Sequence, residues 1–319
     1  MKASRQTLKK FIKGALTIRD EGAYICPLKY EEEQIEMFHQ ADPGWYWRSQ
    51  FSSGTRIELM TDATELRFDY NATDFSSSDC TFDLYIDGVL KCVHKVKKFN
   101  FDRAVYTMRE GWKLVQIYLP VDCHIGIKNF NINGAYKSAK DKGQKVLIIG
   151  DSITQGYGSM FSSGSYFNEL QRQTGYNMLN QGIGGYRCEP QDLMYVDSFE
   201  PDKIITFLGT NWYDAPDQYD YEKSTIGFYK RLTELYPDKQ ILSISPIWRG
   251  NDDLDVERFT WCRSIVKREC ERYENINFVD GFTLIPNVLD CYCDKVHPNE
   301  YGCYMLATNI HKEMKKVKF

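Results

Sequence analysis

The chain has 319 residues, of which 42% are hydrophobic and 14% aromatic, so it can fill the cores of two ordinary domains. Its formal net charge of −4 provides no basic surface for nucleic acid or for an anionic membrane, and we expect a neutral partner. No run reaches the roughly eighteen apolar residues of a membrane span, and the first residues, MKASRQTLKKFIKGAL, contain no continuous apolar segment of signal-peptide type. We therefore expect a cytoplasmic protein whose ten cysteines stay reduced.

The first part of the chain alternates apolar and polar residues, which is the pattern of strands buried on one face. A short helix is predicted before these strands, around Glu31 to His39. Asp87-Gly88 lies between two alternating runs and has the composition of a two-residue hairpin turn. The alternating runs are TRIELM, ELRFDY, TFDLYID, the segment from Leu90 to Val96, KLVQIYL and HIGIKNFNI. Closely spaced strands of this kind predict an antiparallel β-sandwich of jelly-roll type.

The pattern changes near residue 138, within the polar stretch NGAYKSAKDKGQ, which has the composition of a linker. Beyond it, apolar runs without alternation indicate strands covered on both faces, as in a parallel sheet. These runs are VLIIG, NMLN, IITFLG, ILSIS and INFVD. Helical patterns lie between them, the clearest from Asp255 to Tyr273. The sequence therefore predicts a β-sandwich domain over residues 1–138 and, over residues 139–319, a three-layer α/β domain with a doubly wound parallel sheet.

Ligands of an open parallel sheet collect at the carboxyl ends of its strands, so the residues after each apolar run are candidates for a site. Four of these places carry notable residues: GDS at 150–152, NQGIGG at 180–185, GTN at 209–211 and DKVHPNEYG at 294–302. We call these stretches the four motif loops.

The motif loops contain the groups that acyl transfer requires. The Ser152 hydroxyl becomes a nucleophile when a base removes its proton, and His297 is the candidate base, with Asp294 three residues earlier to orient its ring. The oxyanion of a tetrahedral intermediate needs hydrogen-bond donors. The backbone N–H groups of Ser152 and Gly185 and the side-chain amide of Asn211 are the candidate donors.

The four motif loops, in this order, resemble the blocks of the SGNH or GDSL hydrolase superfamily. The resemblance covers residues 139–319 and implies the same roles: Ser152 as nucleophile, Asp294 and His297 as its partners, and Gly185 and Asn211 in the oxyanion hole. A β-sandwich before such a domain is similar to two-domain carbohydrate esterases, such as carbohydrate esterase family 2 and related acetyl-xylan and mannan esterases. TFDLY resembles a short signature of one such amino-terminal domain. This second resemblance implies the removal of acetyl groups from sugars.

One position departs from the family pattern. Many members have Asp after the Asn of the third block, whereas this chain has Trp212, followed by Tyr213. An aromatic side chain at this place could stack on a sugar or wall off a small acyl pocket, so we predict that Trp212 binds substrate. Trp248 and Arg249 could add to the same wall.

Simpler roles stay open for some of these residues. Ser152 could be only a helix N-cap, and the glycines of the second motif loop could only relieve a tight turn. A zinc site could be built from metal-ligating side chains at Cys291, Cys293, His297 and Cys303. Their spacing lacks the paired CxxC of structural zinc sites, and a closed site would occupy the histidine that Ser152 needs. We expect no metal and no organic cofactor.

Taken together, these features predict a serine esterase that hydrolyses small acyl esters, with acetylated mono- or oligosaccharides as the expected substrates and neither nucleic acid nor membrane as a partner. Two alternatives stay open: a lysophospholipase or thioesterase, which the same motif loops would serve, and a carbohydrate-binding protein with an inactive hydrolase domain. A small aromatic-walled pocket beside Ser152 would favour the esterase, and a broad apolar groove would favour the lipid hydrolase. The sequence does not indicate an oligomeric state.

Overall fold

The structure is a computed structural model that describes residues 4–76, 80–97, 101–140, 143–187, 189–213, 218–251 and 254–319. Residues 141–142 of the predicted linker lie outside these ranges. Within them, no helix combines the length and the apolar composition that crossing a membrane requires.

Antiparallel strands are the main secondary structure of the first part of the chain. They are β1 (Ile12–Lys13), β2 (Thr17–Glu21), β3 (Tyr24–Leu28), β4 (Arg56–Thr61), β5 (Glu65–Thr73), β6 (Thr81–Ile86), β7 (Val89–Lys95), β8 (Phe101–Thr107), β9 (Lys113–Tyr118), β10 (His124–Ile132) and β11 (Tyr136–Ser138). One sheet has the order β1-β4-β9-β6-β7, with β11 beside β4, and the other has the order β2-β3-β10-β5-β8. From β3 to β10 the chain crosses between the sheets at every connection except β6–β7, as in a jelly roll, so the predicted sandwich is confirmed.

Two local features of the sandwich can be compared with the sequence. Asp87 and Gly88 join β6 to β7 with φ angles of 51° and 80°, the positive values that a two-residue hairpin turn requires, so this predicted turn is confirmed. The predicted linker starts too early, because Tyr136–Ser138 form strand β11 and pair with β4.

The second part of the chain alternates parallel strands with helices. The strands are β12 (Lys145–Gly150), β13 (Asn177–Gly182), β14 (Lys203–Phe207), β15 (Gln240–Ile244) and β16 (Ile276–Val279). In the first part of the chain, the helices are α1 (Arg5–Phe11), α2 (Glu32–Ala41) and α3 (Pro43–Ser49). In the second part, they are α4 (Ser152–Gln155), α5 (Tyr166–Thr174), α6 (Gln218–Leu235), α7 (Val256–Cys270) and α8 (Glu300–Lys316). The parallel sheet has the order β13-β12-β14-β15-β16.

Helices cover both faces of the parallel sheet. On one face, Val146 and Ile148 of β12 share a hydrophobic core with side chains of α5 and α8. On the other face, Leu147 and Ile149 share a core with side chains of α6 and α7. This confirms the predicted three-layer α/β fold and explains why these strands have no alternation: successive residues are buried on opposite sides.

The two parts of the chain pack closely against each other. Ile35 and Phe38 of α2, the helix predicted around residues 31–39, lie in the same core as Leu147 of β12. On α5, the Arg172 guanidinium lies over the rings of Tyr85 and Tyr118, which belong to the outer face of the β4-β9-β6 sheet. Residues before 138 therefore contribute to the core of the α/β region. The division into domains at residues 138 and 139 stays a prediction.

Candidate active site

The carboxyl ends of neighbouring strands bring the first three motif loops together. Gly150, at the end of β12, pairs with Gly182 of β13 on one side and with Phe207 of β14 on the other. Beyond β14, the Asn211 side-chain N–H donates to the backbone oxygen of Tyr186, in the loop after β13, at 2.9 Å. The three loops therefore share one edge of the sheet and touch each other.

A tight turn places Ser152 at the start of α4. A Cβ on Gly150 would lie 2.0 Å from the hydroxyl oxygen of Thr154, so only glycine fits at the end of the strand. Asp151 is the N-cap of the helix, because its carboxylate accepts a hydrogen bond from the Ile153 N–H at 2.9 Å. The alternative in which Ser152 serves as the cap therefore does not apply. Its side chain faces the fourth motif loop instead.

A chain of hydrogen bonds joins Ser152, His297 and Asp294. His297 Nδ1 lies 2.8 Å from Asp294 Oδ2, and His297 Nε2 lies 2.8 Å from Ser152 Oγ. A carboxylate can only accept, so Nδ1 carries the proton and Nε2 is left to accept from the Ser152 hydroxyl. The other carboxylate oxygen of Asp294 accepts from the backbone N–H groups of Val296 and His297, each at 2.7 Å. This is the geometry in which an imidazole can remove the proton of a serine hydroxyl.

Electrostatics favours an ionised Asp294. Partial burial alone would raise the pKa of its carboxyl group, but hydrogen bonds from the ring and backbone of His297 and from the Val296 N–H lower that pKa to about 2. Asp151 behaves in the opposite way. Complete burial raises the pKa of Asp151 to about 6, although the Ile153 N–H and the nearby charges of His297 and Arg249 oppose this shift.

The backbone and the ring face of His297 have further contacts. The Cys293 N–H donates to the His297 backbone oxygen at 2.9 Å, and the ring of Tyr157 lies 4.5 Å from the imidazole, centroid to centroid. Glycine at position 158 allows the two loops to pack this closely, because a Cβ there would lie 2.6 Å from the sulfur of Cys293. Both ring nitrogens of His297 face Asp294 and Ser152 rather than the neighbouring cysteines, and Cys291 is packed in the hydrophobic core with α8.

The predicted oxyanion donors lie beside the nucleophile loop. Gly185 has a φ of 82°, a conformation that favours glycine, and follows β13 by three residues. The Asn211 amide uses one N–H for the Tyr186 oxygen, and a primary amide carries a second one. Asn180, at the start of the second motif loop, ties that loop to α4: its N–H donates to the Thr154 oxygen at 2.7 Å, and its oxygen accepts from the Gly182 N–H at 2.8 Å.

The structure does not place Trp212 where the sequence predicts it to act. The side chain is only 5% exposed, its indole N–H donates to the Arg187 backbone oxygen, and its ring packs against Tyr221 in a small core. No ring face of Trp212 is therefore open to a sugar. Trp248 is also turned into the protein, where it stacks on Phe282 with ring centroids 3.7 Å apart. The presence of Trp instead of Asp in a loop does not indicate whether the indole ring faces solvent or the protein interior.

A cleft of about 760 Å³ opens beside Asp294. Tyr157 and the exposed side chains of Met160 and Tyr301 line it, and Ser76 of the sandwich contributes to its wall. The aromatic side chains of this cleft are Tyr157 and Tyr301, and Trp212 does not line it. Tyr157 follows Ser152 by five positions, but nothing in the sequence distinguishes it from the other 21 tyrosines.

One group of metal-ligating side chains occurs in the sandwich. Among the described residues, the ligand atoms of Glu21, Cys26 and His124 lie within 4.8 Å of one another. His124 Nε2 lies 3.2 Å from Glu21 Oε2, and the Arg19 guanidinium lies 3.7 Å from the other oxygen of Glu21, so both carboxylate oxygens already have partners. The group is separate from the motif loops.

The side chains of Arg48, Asp122 and Gln155 border the second motif loop and were not singled out from the sequence. Gln155 hydrogen-bonds to both Asp122 and the Gly184 N–H, and Arg48 hydrogen-bonds to the Gly184 oxygen. Gln155 follows Ser152 by three residues, and this spacing is only weak evidence in the sequence that Gln155 lies near the site. Asp122 and Arg48 come from distant parts of the chain and have no such signal.

Comparison with known proteins identifies the domain in which the motif loops lie. Residues 148–303 match the model of the GDSL-like Lipase/Acylhydrolase family, and this segment contains all four motif loops. No curated protein is similar enough in sequence to be a recognisable relative.

Several solved structures have the same fold over nearly the whole chain. A salicylyl-acyltransferase, SsfX3, from a tetracycline biosynthetic pathway superimposes with a TM-score of 0.80 at 20% identity, over 96% of this chain and 94% of its own. The acetyl xylan esterase Est2A from the rumen bacterium Butyrivibrio proteoclasticus gives 0.66 at 15% identity, over 96% and 95%. A family two carbohydrate esterase from Clostridium thermocellum, in complex with cellohexaose, gives 0.65 at 17% identity, over 83% and 92%.

These likenesses show the fold, with the sandwich included, and the family model identifies the region that carries the motif loops. Within the α/β region, residues 148–303 match a GDSL-like lipase/acylhydrolase domain, and the fold is that of the SGNH hydrolases.

Proposed function

We propose that this protein is a serine esterase that removes small acyl groups, with acetyl esters of carbohydrates as its substrates. The observation that carries the proposal is the hydrogen-bonded chain from Ser152 Oγ through His297 to Asp294, with both links at 2.8 Å. The match of residues 148–303 to an acylhydrolase family model supports ester hydrolysis as the reaction class.

In the proposed mechanism, His297 Nε2 takes the hydroxyl proton as Ser152 Oγ attacks the ester carbonyl carbon. The negative charge on the carbonyl oxygen is stabilised by the N–H groups of Ser152 and Gly185 and by the Asn211 amide. When the tetrahedral intermediate collapses, the sugar oxygen leaves with the proton from His297, and the acyl group stays on Ser152. His297 then takes a proton from water, which attacks the acyl carbon. When this second intermediate collapses, the proton passes from His297 to the leaving Ser152 Oγ and the carboxylic acid is released. Asp294 keeps the ring in the required tautomer throughout.

The choice of a carbohydrate substrate rests on two observations. The fold is shared with a family two carbohydrate esterase and with an acetyl xylan esterase. The cleft beside Asp294 has tyrosine side chains, Tyr157 and Tyr301, which are suited to stacking on a sugar ring. The choice of acetyl rests on the fold likeness, because Trp212 is not available as a pocket wall.

Acetate release from acetylated mono- and oligosaccharides, compared with esters of increasing acyl length, tests this proposal. We expect turnover of acetyl esters by the wild type and none above background by Ser152→Ala. Faster turnover of long-chain esters or thioesters would replace acetyl sugars by lipid-type substrates. Failure of a fluorophosphonate to label Ser152, together with sugar binding, would indicate an inactive binding protein. Product analysis also shows whether an alcohol other than water receives the acyl group, since one structure of this fold is an acyltransferase.

A further inference from the structure

The two peptides on either side of Gly184 are held by side chains from elsewhere in the protein. The Gly184 N–H donates to Gln155 Oε1 at 2.8 Å, and Arg48 Nη1 donates to the Gly184 oxygen at 3.4 Å. In a trans peptide the carbonyl oxygen and the next N–H point in opposite directions. The position of Arg48 at the Gly184 oxygen therefore sets the direction of the Gly185 N–H, which is one of the proposed oxyanion donors.

The orientation of the Gln155 amide is set by the sandwich. Gln155 Nε2 donates to Asp122 Oδ1 at 2.5 Å, and Asp122 lies in the connection between β9 and β10. A carboxylate can only accept, so the nitrogen of the amide faces Asp122 and its oxygen faces the Gly184 N–H. Both side chains are 1% exposed, so water cannot readily replace either bond.

Close packing leaves this loop little freedom. A Cβ on Gly184 would lie 2.9 Å from Arg48 Cδ, and a Cβ on Gly182 would lie 2.3 Å from the Gln155 backbone nitrogen. The buried Lys29 ammonium, from the connection after β3, donates to the Gly182 oxygen and to the Ser53 hydroxyl, each at 2.5 Å. Three side chains from the first part of the chain thus act on one loop of the active site.

We propose that Asp122, acting through Gln155, and Arg48 are positioning residues for acyl transfer: they hold Gly184 by its N–H and by its oxygen, so that the Gly185 N–H in the next peptide is presented to the oxyanion. The inference rests on the proposed function. It makes the sandwich a component of the active site, since a carboxylate of the sandwich determines which way an amide of α4 points.

Exchanging the carboxylate and the amide of the buried Asp122–Gln155 pair tests this proposal directly. In Asp122→Asn, residue 122 presents no carboxylate to the Gln155 N–H, and the amide can rotate its nitrogen towards the Gly184 N–H. In Gln155→Glu, two carboxylates face each other. We expect kcat to fall about 10- to 100-fold in each variant, with KM changed less than about threefold, because complete loss of one oxyanion donor costs about 100- to 1,000-fold.

The double variant Asp122→Asn/Gln155→Glu should recover most of the activity. The amide introduced at position 122 can donate to one oxygen of the carboxylate introduced at position 155. The other oxygen of that carboxylate accepts from the Gly184 N–H, and the total charge of the pair is unchanged. We expect kcat within about fivefold of the wild type, which corresponds to about 1 kcal/mol of residual loss. A role limited to folding would lower the thermal midpoint without this pattern in kcat.

The sandwich offers a matched control. Gln116 Nε2 donates to Glu58 Oε2 at 2.8 Å, a carboxylate–amide pair of the same type on β4 and β9. Glu58→Gln and Gln116→Glu should lower stability but leave the kcat of the folded protein unchanged. Arg48→Met tests the contact at the Gly184 oxygen, in the peptide that carries the Gly185 N–H. Arg48 is half-buried, so folding is less at risk, and this variant should lower kcat about 3- to 10-fold.

The outcomes separate the two proposals. Wild-type kcat in Asp122→Asn, Gln155→Glu and Arg48→Met would overturn the positioning role while leaving the esterase intact. A folded double variant as inactive as the worse single variant would overturn it as well. If the wild type neither hydrolyses esters nor reacts with a fluorophosphonate at Ser152, the proposed function fails and the positioning role fails with it.

Discussion

The interior of the sandwich and the active-site edge of the parallel sheet bury very different side chains. Between the two sheets of the sandwich, the core consists of apolar and aromatic side chains such as Ile57, Phe68 and Phe82, each 0% exposed. At the edge of the parallel sheet, Asp151 and Lys29 are buried almost completely. Burial raises the pKa of Asp151 to about 6 and lowers that of Lys29 to about 7.

The contrast indicates that the sandwich core stabilises the fold and that the active-site edge costs stability. Burying apolar surface stabilises the fold, whereas burying a charge costs free energy unless it is paired and hydrogen-bonded. The active-site edge keeps such groups because they hold Ser152 and the second motif loop in place. Changes at the edge should therefore alter rate much more than stability, and changes in the sandwich core should do the reverse.

Replacing the proposed base should have the largest effect on rate. In His297→Ala, nothing removes the Ser152 proton, so we expect kcat/KM for an acetyl ester to fall about 10⁴- to 10⁶-fold. The thermal midpoint should change little. His311→Ala, on α8 and outside the motif loops, is the control and should keep full activity. A loss below tenfold in His297→Ala would contradict the mechanism.

Removing the charge that orients the histidine should have the next largest effect. Asp294→Asn can still accept from the backbone N–H groups of Val296 and His297, but it no longer fixes the ring tautomer or stabilises the imidazolium. We expect kcat to fall about 10³- to 10⁴-fold. Asp290→Asn, at a nearby exposed position, should have no effect. If Asp294→Asn lost less than threefold, another group would have to orient the ring.

Much of this contrast is visible in the sequence, because local spacing encodes it. Period-two runs predict the sandwich, non-alternating runs predict the parallel sheet, and the residues after those runs include Ser152, Asn211 and His297. What spacing cannot encode is contact between distant segments. Asp122 and Gln155 are 33 positions apart, and nothing in the sequence pairs them. The outer face of β6 is buried because Ser162 and Ser163, before α5, contact Thr81 and Asp83 and because Arg172 of α5 packs on Tyr85. A strand predicted to be half-buried is therefore covered on both faces.

The position of Trp212 could not be predicted for the same reason. A loop tryptophan is equally compatible with a substrate wall and with a small core. Tyr221, on α6, supplies the second ring that packs against it. That helix begins only after the loop has ended, so the orientation of Trp212 depends on tertiary packing and not on the motif itself.

A cavity in the sandwich core should affect stability and not rate. Phe82 packs edge-on against Phe68, with ring centroids 5.2 Å apart, and also contacts Tyr70. Phe82→Ala should lower the free energy of unfolding by about 3–5 kcal/mol, measured by urea denaturation, with kcat of the folded protein within twofold of the wild type. Phe101→Ala, at a position that is 67% exposed, should change stability by less than about 0.5 kcal/mol. A large fall in kcat with unchanged stability in Phe82→Ala would reverse the contrast.

The buried carboxyl group of Asp151 should produce the smallest effect, with a sign that depends on pH. In the unfolded chain its pKa has the ordinary value of about 3.9, and burial raises the pKa to about 6 in the fold. Between these values the folded protein binds more protons than the unfolded chain, so this group lowers the free energy of unfolding as pH rises through the window. Above pH 6 the penalty is complete.

Asp151→Asn keeps an oxygen for the Ile153 N–H and removes the charge. We expect it to raise the free energy of unfolding by about 1–3 kcal/mol at pH 7.5 and to change it little at pH 4, measured by urea denaturation at both values. Asp294 affects the free energy of unfolding in the opposite direction. Its pKa is lowered to about 2, so its carboxylate stabilises the fold above pH 4, and this stabilisation is lost as pH falls towards 2. Asp294→Asn should therefore destabilise the protein at pH 7.5, where Asp151→Asn stabilises it. If both variants shifted stability in the same direction at pH 7.5, the two aspartates would not differ in burial and partners as they do in the structure. The buried charge of Asp151 would then not destabilise the active-site edge.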